Sequence, residues 1–353
     1  MSDRRIAGSL ALAVAATALA LGAAEMALRI APPDTPELPP RHAPLPPGLP
    51  QLTTVFEIAS PDVVGVYKGV LHRTNHLGVR GPELPLVPRP GTFRIALIGD
   101  SIAMGEGVAE DETYAARAAR LLAADDPRHA YEVVNLGISG VTAPQAAGRL
   151  ESVGALYHPQ LVVYGYTLND IEGPAYRAAP RPERLENKRL LARFKDSRSA
   201  LLRAVWPRLV VAWSAFFPLR GSYERELADN YRENPAAWHE VEAALDRIAA
   251  QSHALGACTL LFVHPRLQDL TWLHAFEPFY RQVADAARAR GFHVAVAFDA
   301  LRGERAASLR FSEVDPHPNP QGHRLLAQAL HDAIRALPAE CLAPYAATGA
   351  PRG

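Results

Sequence analysis

The chain predicts an α/β protein built on a parallel sheet with helices on both faces, and two patterns carry that expectation. From Arg94 onward, short continuous apolar runs alternate with helical segments. The runs are RIALI (94–98), YEVVN (131–135), LVVYGY (161–166), CTLLFV (258–263) and HVAVAF (293–298). Runs of this length, rich in Val and Ile, suit strands buried on both faces. The helical segments lie near 113–124, 143–156, 238–255, 276–290 and 322–336. Such alternation argues for one parallel sheet under helices, with the chemistry at the carboxyl ends of its strands.

Taken from the start, the chain opens on Arg4 and Arg5 followed by a 19-residue stretch without a charge, Ile6 to Ala24. As a helix that stretch spans roughly 28 Å, close to a bilayer core of about 30 Å. The flanking arginines favour a cytoplasmic N-terminus, which sends the rest of the chain outward. The run exceeds a normal signal-peptide core and continues past Glu25 as MALRI. A retained single-pass anchor in a cell membrane is therefore the preferred reading. Ala18, Ala20 and Ala23 would suit a signal peptidase, leaving a secreted or periplasmic form as the alternative. Residues 31–50 follow as a linker with nine prolines between 32 and 50, an extended, semi-rigid spacer. Residues 51–90 are a lead-in with turn signals, including HRTNHLGVRGPE (His72 to Glu83).

The 353 residues, 48 % of them hydrophobic, can build one large α/β domain with extras. Lys+Arg and Asp+Glu balance at 37 each and no basic run is interleaved with aromatics, so nucleic acid is excluded as a partner. Of the two cysteines, Cys258 opens an apolar strand and reads best as a small buried hydrophobe. A disulfide to Cys341 is the alternative in an oxidising compartment. The stretch 171–257 is longer than one crossover helix needs and contains Trp206, Trp213, Phe216 and Phe217. Arg203, Pro207 and Arg208 interrupt it, so it is not a second membrane span. It reads either as a cap over the site or as a helical insertion packed on the sheet edge.

The first strand ends in Gly99-Asp100-Ser101, and an exposed Ser at a strand-to-helix turn has the geometry of a nucleophile. Alone, Gly-Asp-Ser is ordinary turn sequence. The second strand ends in NLGISG, where Gly137 lets backbone approach a substrate oxygen, and the third in TLND, where Asn169 offers an amide donor. Ser101 N–H, Gly137 N–H and Asn169 can then converge on one oxyanion. Read plainly, Asn169 is a helix cap and Gly137 a turn glycine. Near the C-terminus EVDPHPNPQGH places His317 beside Asp315, a base and its orienting partner. Neither HExxH nor the GxSxG elbow occurs.

These four blocks, in order at successive strand ends, resemble the SGNH family, also called GDSL-type esterases and lipases. The resemblance runs through roughly residues 91–337, and TNHLGVRGPE looks like the lead-in of membrane-anchored bacterial members. It implies a flavodoxin-like three-layer α/β/α sandwich with a parallel five-stranded sheet ordered 2-1-3-4-5, the SGNH hydrolase fold, plus a helical insertion. The expected organisation is a hydrolase domain at 91–340 with its insertion at 171–257, and a tail at 341–353. Ser101 would be the nucleophile, His317 the base, and Ser101, Gly137 and Asn169 the oxyanion donors, with no cofactor or metal. The family usually carries Asp three residues before the His, where this chain has Val314. Pro316 pushes Asp315 into extended geometry, so residues i and i+2 project to one side and Asp315 can still orient the imidazole. Glu313 is the reserve, and a Ser–His dyad held by a backbone carbonyl the third option. The implied activity is hydrolysis of O-acyl esters on a small molecule, lipid or envelope carbohydrate. An O-acyltransferase with the same site and a non-catalytic envelope assembly protein are its rivals.

Overall fold

The computed structural model of the chain describes residues 2–30, 45–178, 197–206, 209, 223–267, 270, 276–312 and 315–345. The chain divides into two compact units, Met1–Pro40 with Pro180–Glu226, and Arg41–Ala179 with Leu227–Gly353.

In the first unit, helix Ser2–Ile30 continues through the charge-free run and ends beyond Glu25. The Glu25 carboxylate accepts from Ser199 Oγ at 2.7 Å and from the N–H groups of Ala200 and Leu201, both at 2.8 Å. These are first-turn amides of the helical stretch 200–206, which have no acceptor within their own helix. Among the described residues no helix is long and apolar enough to cross a membrane. Within the expected span 6–24, the side chains of residues 6–11 and 14 lie outside the described residues, as do Trp213, Phe216 and Phe217.

The second unit carries the sheet. Strands β1 (Val64–Tyr67) and β2 (Val70–Arg73) form a separate antiparallel hairpin. Strands β3 (Thr92–Gly99), β4 (Ala130–Asn135), β5 (Leu161–Tyr166), β6 (Cys258–Val263) and β7 (His293–Val296) form one parallel sheet ordered β4-β3-β5-β6-β7. This is the expected 2-1-3-4-5 order. The chain leaves β3 in one direction to make β4, then returns past β3 to make β5. Right-handed crossovers therefore place helices Tyr114–Asp125 and Ala143–Ser152 on opposite faces. Helix Pro320–Arg335 packs beside the first of these, and helix Pro235–Ala254, the crossover into β6, beside the second.

Three local departures have simple causes. The expected helix 143–156 stops at Ser152, and Gly154 opens a separate 3₁₀ turn to Tyr157. The run HVAVAF stops pairing at Val296, and Phe298 starts a short helix with its ring buried. The lead-in is more than turns. Its hairpin is closed by Lys68 and Gly69, both at positive φ (49° and 80°), a backbone matched to the twist of the paired strands.

Cys258 is not a lone buried thiol. It is disulfide-bonded to Cys341, fastening the C-terminal turn Ala339–Leu342 to the start of β6. The bond closes a loop of 83 residues, a length at which a cross-link stabilises by up to about 4 kcal/mol.

Candidate active site

The site lies where β3, β4 and β5 end, at the point where the strand order reverses. Gly99 has φ 146° and pairs with Gly165 of β5. A Cβ on Gly99 would stand 2.4 Å from Gly165 O and 2.8 Å from Ala103 Cβ. Only a residue without a side chain lets the strand turn this sharply into helix Ser101–Met104. Asp100 caps that helix by accepting the Ile102 N–H at 2.9 Å.

Ser101, 7 % exposed, points its Oγ at His317 Nε2, 2.9 Å away. On the other edge of the ring His317 Nδ1 donates to Asp315 Oδ1 at 2.6 Å, and the same oxygen accepts the His317 backbone N–H at 3.2 Å. The two-residue spacing works because the carboxylate folds back over Pro316 and grips both N–H groups of residue 317. The loop is braced from below. Phe311 N–H donates to His317 O, Ser312 N–H to Asp315 O, and Asn319 caps helix Pro320–Arg335 while its amide donates to Ser308 O and Arg310 O. Glu313 and Val314 lie outside the described residues.

Burial opposes a charge on His317. The bond to Asp315 and the nearby charge of Glu106 outweigh it and hold the imidazole above its ordinary range. Burial likewise works against the Asp315 carboxylate, and its bond to the His317 ring brings it below its usual value. Both shifts favour the ion pair that forms when the ring takes a proton.

The three expected oxyanion donors differ. Ser101 N–H is a first-turn amide with no acceptor inside its helix. Asn169 donates one of its two amide N–H groups to Asp100 Oδ2 at 3.1 Å. Gly137 is at the edge of the site, but its N–H already donates to Asn135 Oδ1 at 3.1 Å. What requires glycine at 137 is space: a Cβ there would lie 2.4 Å from Met104 N, inside the Ser101 helix.

Two partners carry roles that the sequence reading did not assign, although Arg80 lies within the TNHLGVRGPE lead-in. Arg80, buried in the lead-in, donates to Gly105 O and Val108 O at 2.7 Å each, and also to Met104 O. It thereby satisfies the carbonyls at the end of the Ser101 helix, and burial lowers its guanidinium to about 10. Glu106 stands with Oε1 3.8 Å from His317 Nε2. Neither residue announces its role, since the lead-in stretch does not say which of its side chains acts and one glutamate in a Gly-rich loop looks ordinary. The described residues hold one group with metal-ligating potential, Cys258, His293 and Cys341, and the disulfide consumes both its thiolates.

The GDSL-like Lipase/Acylhydrolase family matches residues 97–325 of the chain. No curated protein matches it. Among solved structures, TesA is 19 % identical over 69 % of this chain and 98 % of that one, with a TM-score of 0.42. A catalytic mutant of Axe2, an acetylxylan esterase from Geobacillus stearothermophilus, is 19 % identical over 69 % and 95 %, with a TM-score of 0.43. A two-domain esterase (CEX) active on acetylated mannans is 12 % identical over 69 % of this chain and 48 % of its own, with a TM-score of 0.41.

Proposed function

The chain belongs to the GDSL-like lipase/acylhydrolase family and is a carboxylic ester hydrolase, and from that premise we propose a mechanism centred on Ser101. Ser101 Oγ attacks the ester carbonyl while His317 Nε2 takes its proton. The bond to the alcohol then breaks, the imidazolium returns the proton to the leaving oxygen, and the acyl group stays on Ser101. Water activated by the same nitrogen releases the acid. Asp315 holds the ring in its productive tautomer and stabilises the imidazolium. Ser101 N–H and Asn169 carry the developing oxyanion, and Gly137 N–H joins them by exchanging Asn135 Oδ1 for the substrate oxygen. The observation that carries this reading is the continuous relay of 2.9 Å and 2.6 Å from Ser101 through His317 to Asp315.

The catalytic unit acts outside the cytoplasm, on O-acyl esters of envelope carbohydrate or lipid, and the N-terminal helix holds it at the membrane. Support comes from the Cys258–Cys341 disulfide, a bond characteristic of oxidising compartments, and from the arginine-flanked uncharged run 6–24.

One experiment tests both parts. A fluorophosphonate probe should label the wild-type chain and not Ser101→Ala, and the variant should lose p-nitrophenyl acetate hydrolysis by about 10⁴-fold or more. Undiminished hydrolysis by Ser101→Ala would sink the mechanism. In fractionated cells the labelled band should stay in the carbonate-washed membrane pellet. A soluble labelled form beginning near residue 24 would replace the anchor with a cleaved signal.

A further inference from the structure

The β1–β2 turn reaches the active site. Lys68, at its tip, pairs its ammonium with the Glu106 carboxylate on the loop that follows the Ser101 helix. Glu106 is 4 % exposed, whereas the Lys68 side chain is 41 % exposed. Glu106 Oε2 accepts from Ser139 Oγ at 2.6 Å and faces Tyr67 OH at 3.4 Å. Three side chains from two separate segments thus meet around the Glu106 carboxylate.

Their side of the site follows from the chemistry of His317. In the esterase reading, on which this inference rests, Nε2 first takes the Ser101 proton and then delivers it to the leaving alcohol oxygen. That oxygen must therefore lie within hydrogen-bond distance of Nε2. A group 3.8 Å from Nε2, as Glu106 Oε1 is, stands beside the alcohol half of the ester and reaches substituents on the carbon next to the leaving oxygen. The charges of Lys68 and Glu106 cancel, so the cluster has no net charge with which to select an anion. A purely apolar alcohol would strip water from the Lys68–Glu106 pair and offer neither charge a new hydrogen bond in its place, which disfavours it. A hydroxyl satisfies both at once. It donates to Glu106, whose carboxylate has acceptor sites beyond those already used, and accepts from Lys68, which has three donors.

We propose that Lys68, Glu106 and Ser139, with Tyr67 beside them, form the alcohol subsite of this hydrolase, and that it takes a polyhydroxylated alcohol of the sugar class by the hydroxyl neighbouring the ester. The lead-in hairpin is then a specificity element.

A matched pair of esters tests this on the purified full chain: trans-2-hydroxycyclohexyl acetate and cyclohexyl acetate, which differ by one vicinal hydroxyl. Each kcat/KM is divided by the alkaline hydrolysis rate of the same ester, removing the inductive effect of the hydroxyl. The wild type should prefer the hydroxylated ester by about tenfold or more, the worth of a hydrogen bond to a charged group. In Lys68→Met, in Glu106→Gln and in Ser139→Ala that ratio should fall towards one. Because the readout is a ratio, partial misfolding of a variant does not move it. A wild-type ratio near one with hydrolysis intact overturns the subsite and spares the esterase. The same holds for a ratio that survives in all three variants, which would make the cluster a structural pin. Failure of the wild type to cleave either ester overturns the esterase reading and the subsite together.

Discussion

The strand ends and the lead-in build one site by opposite means. At the strand ends each functional side chain is delivered by its own short motif: Ser101 after β3, Asn169 after β5, and Asp315 with His317 on a loop braced by Asn319. Each position is set within a few residues, by a glycine turn, a cap or an Asx-type bond. The lead-in carries the family-like stretch TNHLGVRGPE, yet nothing in it states what its side chains do. Arg80 and Lys68 act on residues 24 and 38 positions further along the chain, Met104 and Glu106, through contacts that exist only after the sheet has formed. The difference teaches where a sequence speaks. Chemistry fixed by local backbone geometry leaves a signature, and chemistry supported from a distance does not.

The sharpest test of the local half is Asp315. If its bond to His317 Nδ1 orients the ring, Asp315→Asn should lower kcat by up to about 10⁴-fold with little change in Tm, because the amide favours the wrong tautomer. Glu313→Gln should be nearly silent. His317 sits above its ordinary pKa because Asp315 and Glu106 outweigh its burial, with Lys68 opposing them. The base must be neutral to work, so the acid limb of kcat/KM should lie above the ordinary histidine range in the wild type. It should move to lower pH in Asp315→Asn. A large loss in Glu313→Gln beside a small one in Asp315→Asn would reverse the assignment, and small losses in both would leave a dyad.

Arg80 tests the distant half. Arg80→Met takes away the side-chain donor of buried Val108 O, while Gly105 O keeps the Val108 N–H and Met104 O keeps the Asn135 amide. A buried carbonyl left without a partner costs about 1–3 kcal/mol, so Tm should fall. The informative readout is kcat in the fraction that stays folded. A loosened Ser101 helix should lower it about 10- to 100-fold at nearly constant KM, since displacement by about 1 Å costs rate on that scale. A lower Tm with unchanged kcat would reduce the lead-in to packing and break the comparison.

The same contrast explains what was legible beforehand. Strands β5 and β6 match their apolar runs to the residue, because continuous burial on both faces leaves a continuous pattern. The parallel order followed from the family resemblance, and the structure has it. Ser101, Asp315 and His317 are brought together as their motifs suggested. Gly137 is expected as a donor; the structure adds that its N–H rests on Asn135 and that its missing side chain admits the Ser101 helix. A glycine states that space is needed without stating for what. The hairpin β1–β2 was missed because four-residue strands with exposed Val64 and Leu71 carry too little alternation to stand out. The disulfide could be named only as an option, since two cysteines 83 residues apart reveal nothing of their distance in space.

The smallest expected effect on rate lies beneath the site, where the network is neither local nor catalytic. Thr167 Oγ1 is 2.8 Å from Asp100 Oδ2 and 2.9 Å from Asp170 Oδ1, yet a hydroxyl has one proton to donate. It therefore donates to one carboxyl and accepts from the other, which must be protonated. Burial raises the Asp100 carboxyl as well, but the bonds from Thr167, the Ile102 N–H and Asn169 oppose that rise, so Asp100 is the partner that keeps its charge. Burial, reinforced by the Asp100 charge, pushes the Asp170 carboxyl well above its ordinary value, and Tyr164 OH donates to its second oxygen at 2.9 Å. The sign of the linkage follows. A raised folded-state pKa gives stability that is complete below the unfolded value, about 3.9, and is lost as pH rises towards the folded one. Across that window folding must take up a proton, at a cost on the order of 1 kcal/mol per pH unit. Asp170→Asn supplies the same donor and acceptor without the proton, so it should match the wild type near pH 4 and gain on it steadily between pH 5 and 8. Its kcat should stay within about threefold, because no reacting atom touches residue 170. Parallel curves of Tm against pH for the two proteins would mean that Asp170 is ionised in the folded state, and that Thr167 does not join the two carboxyls as described.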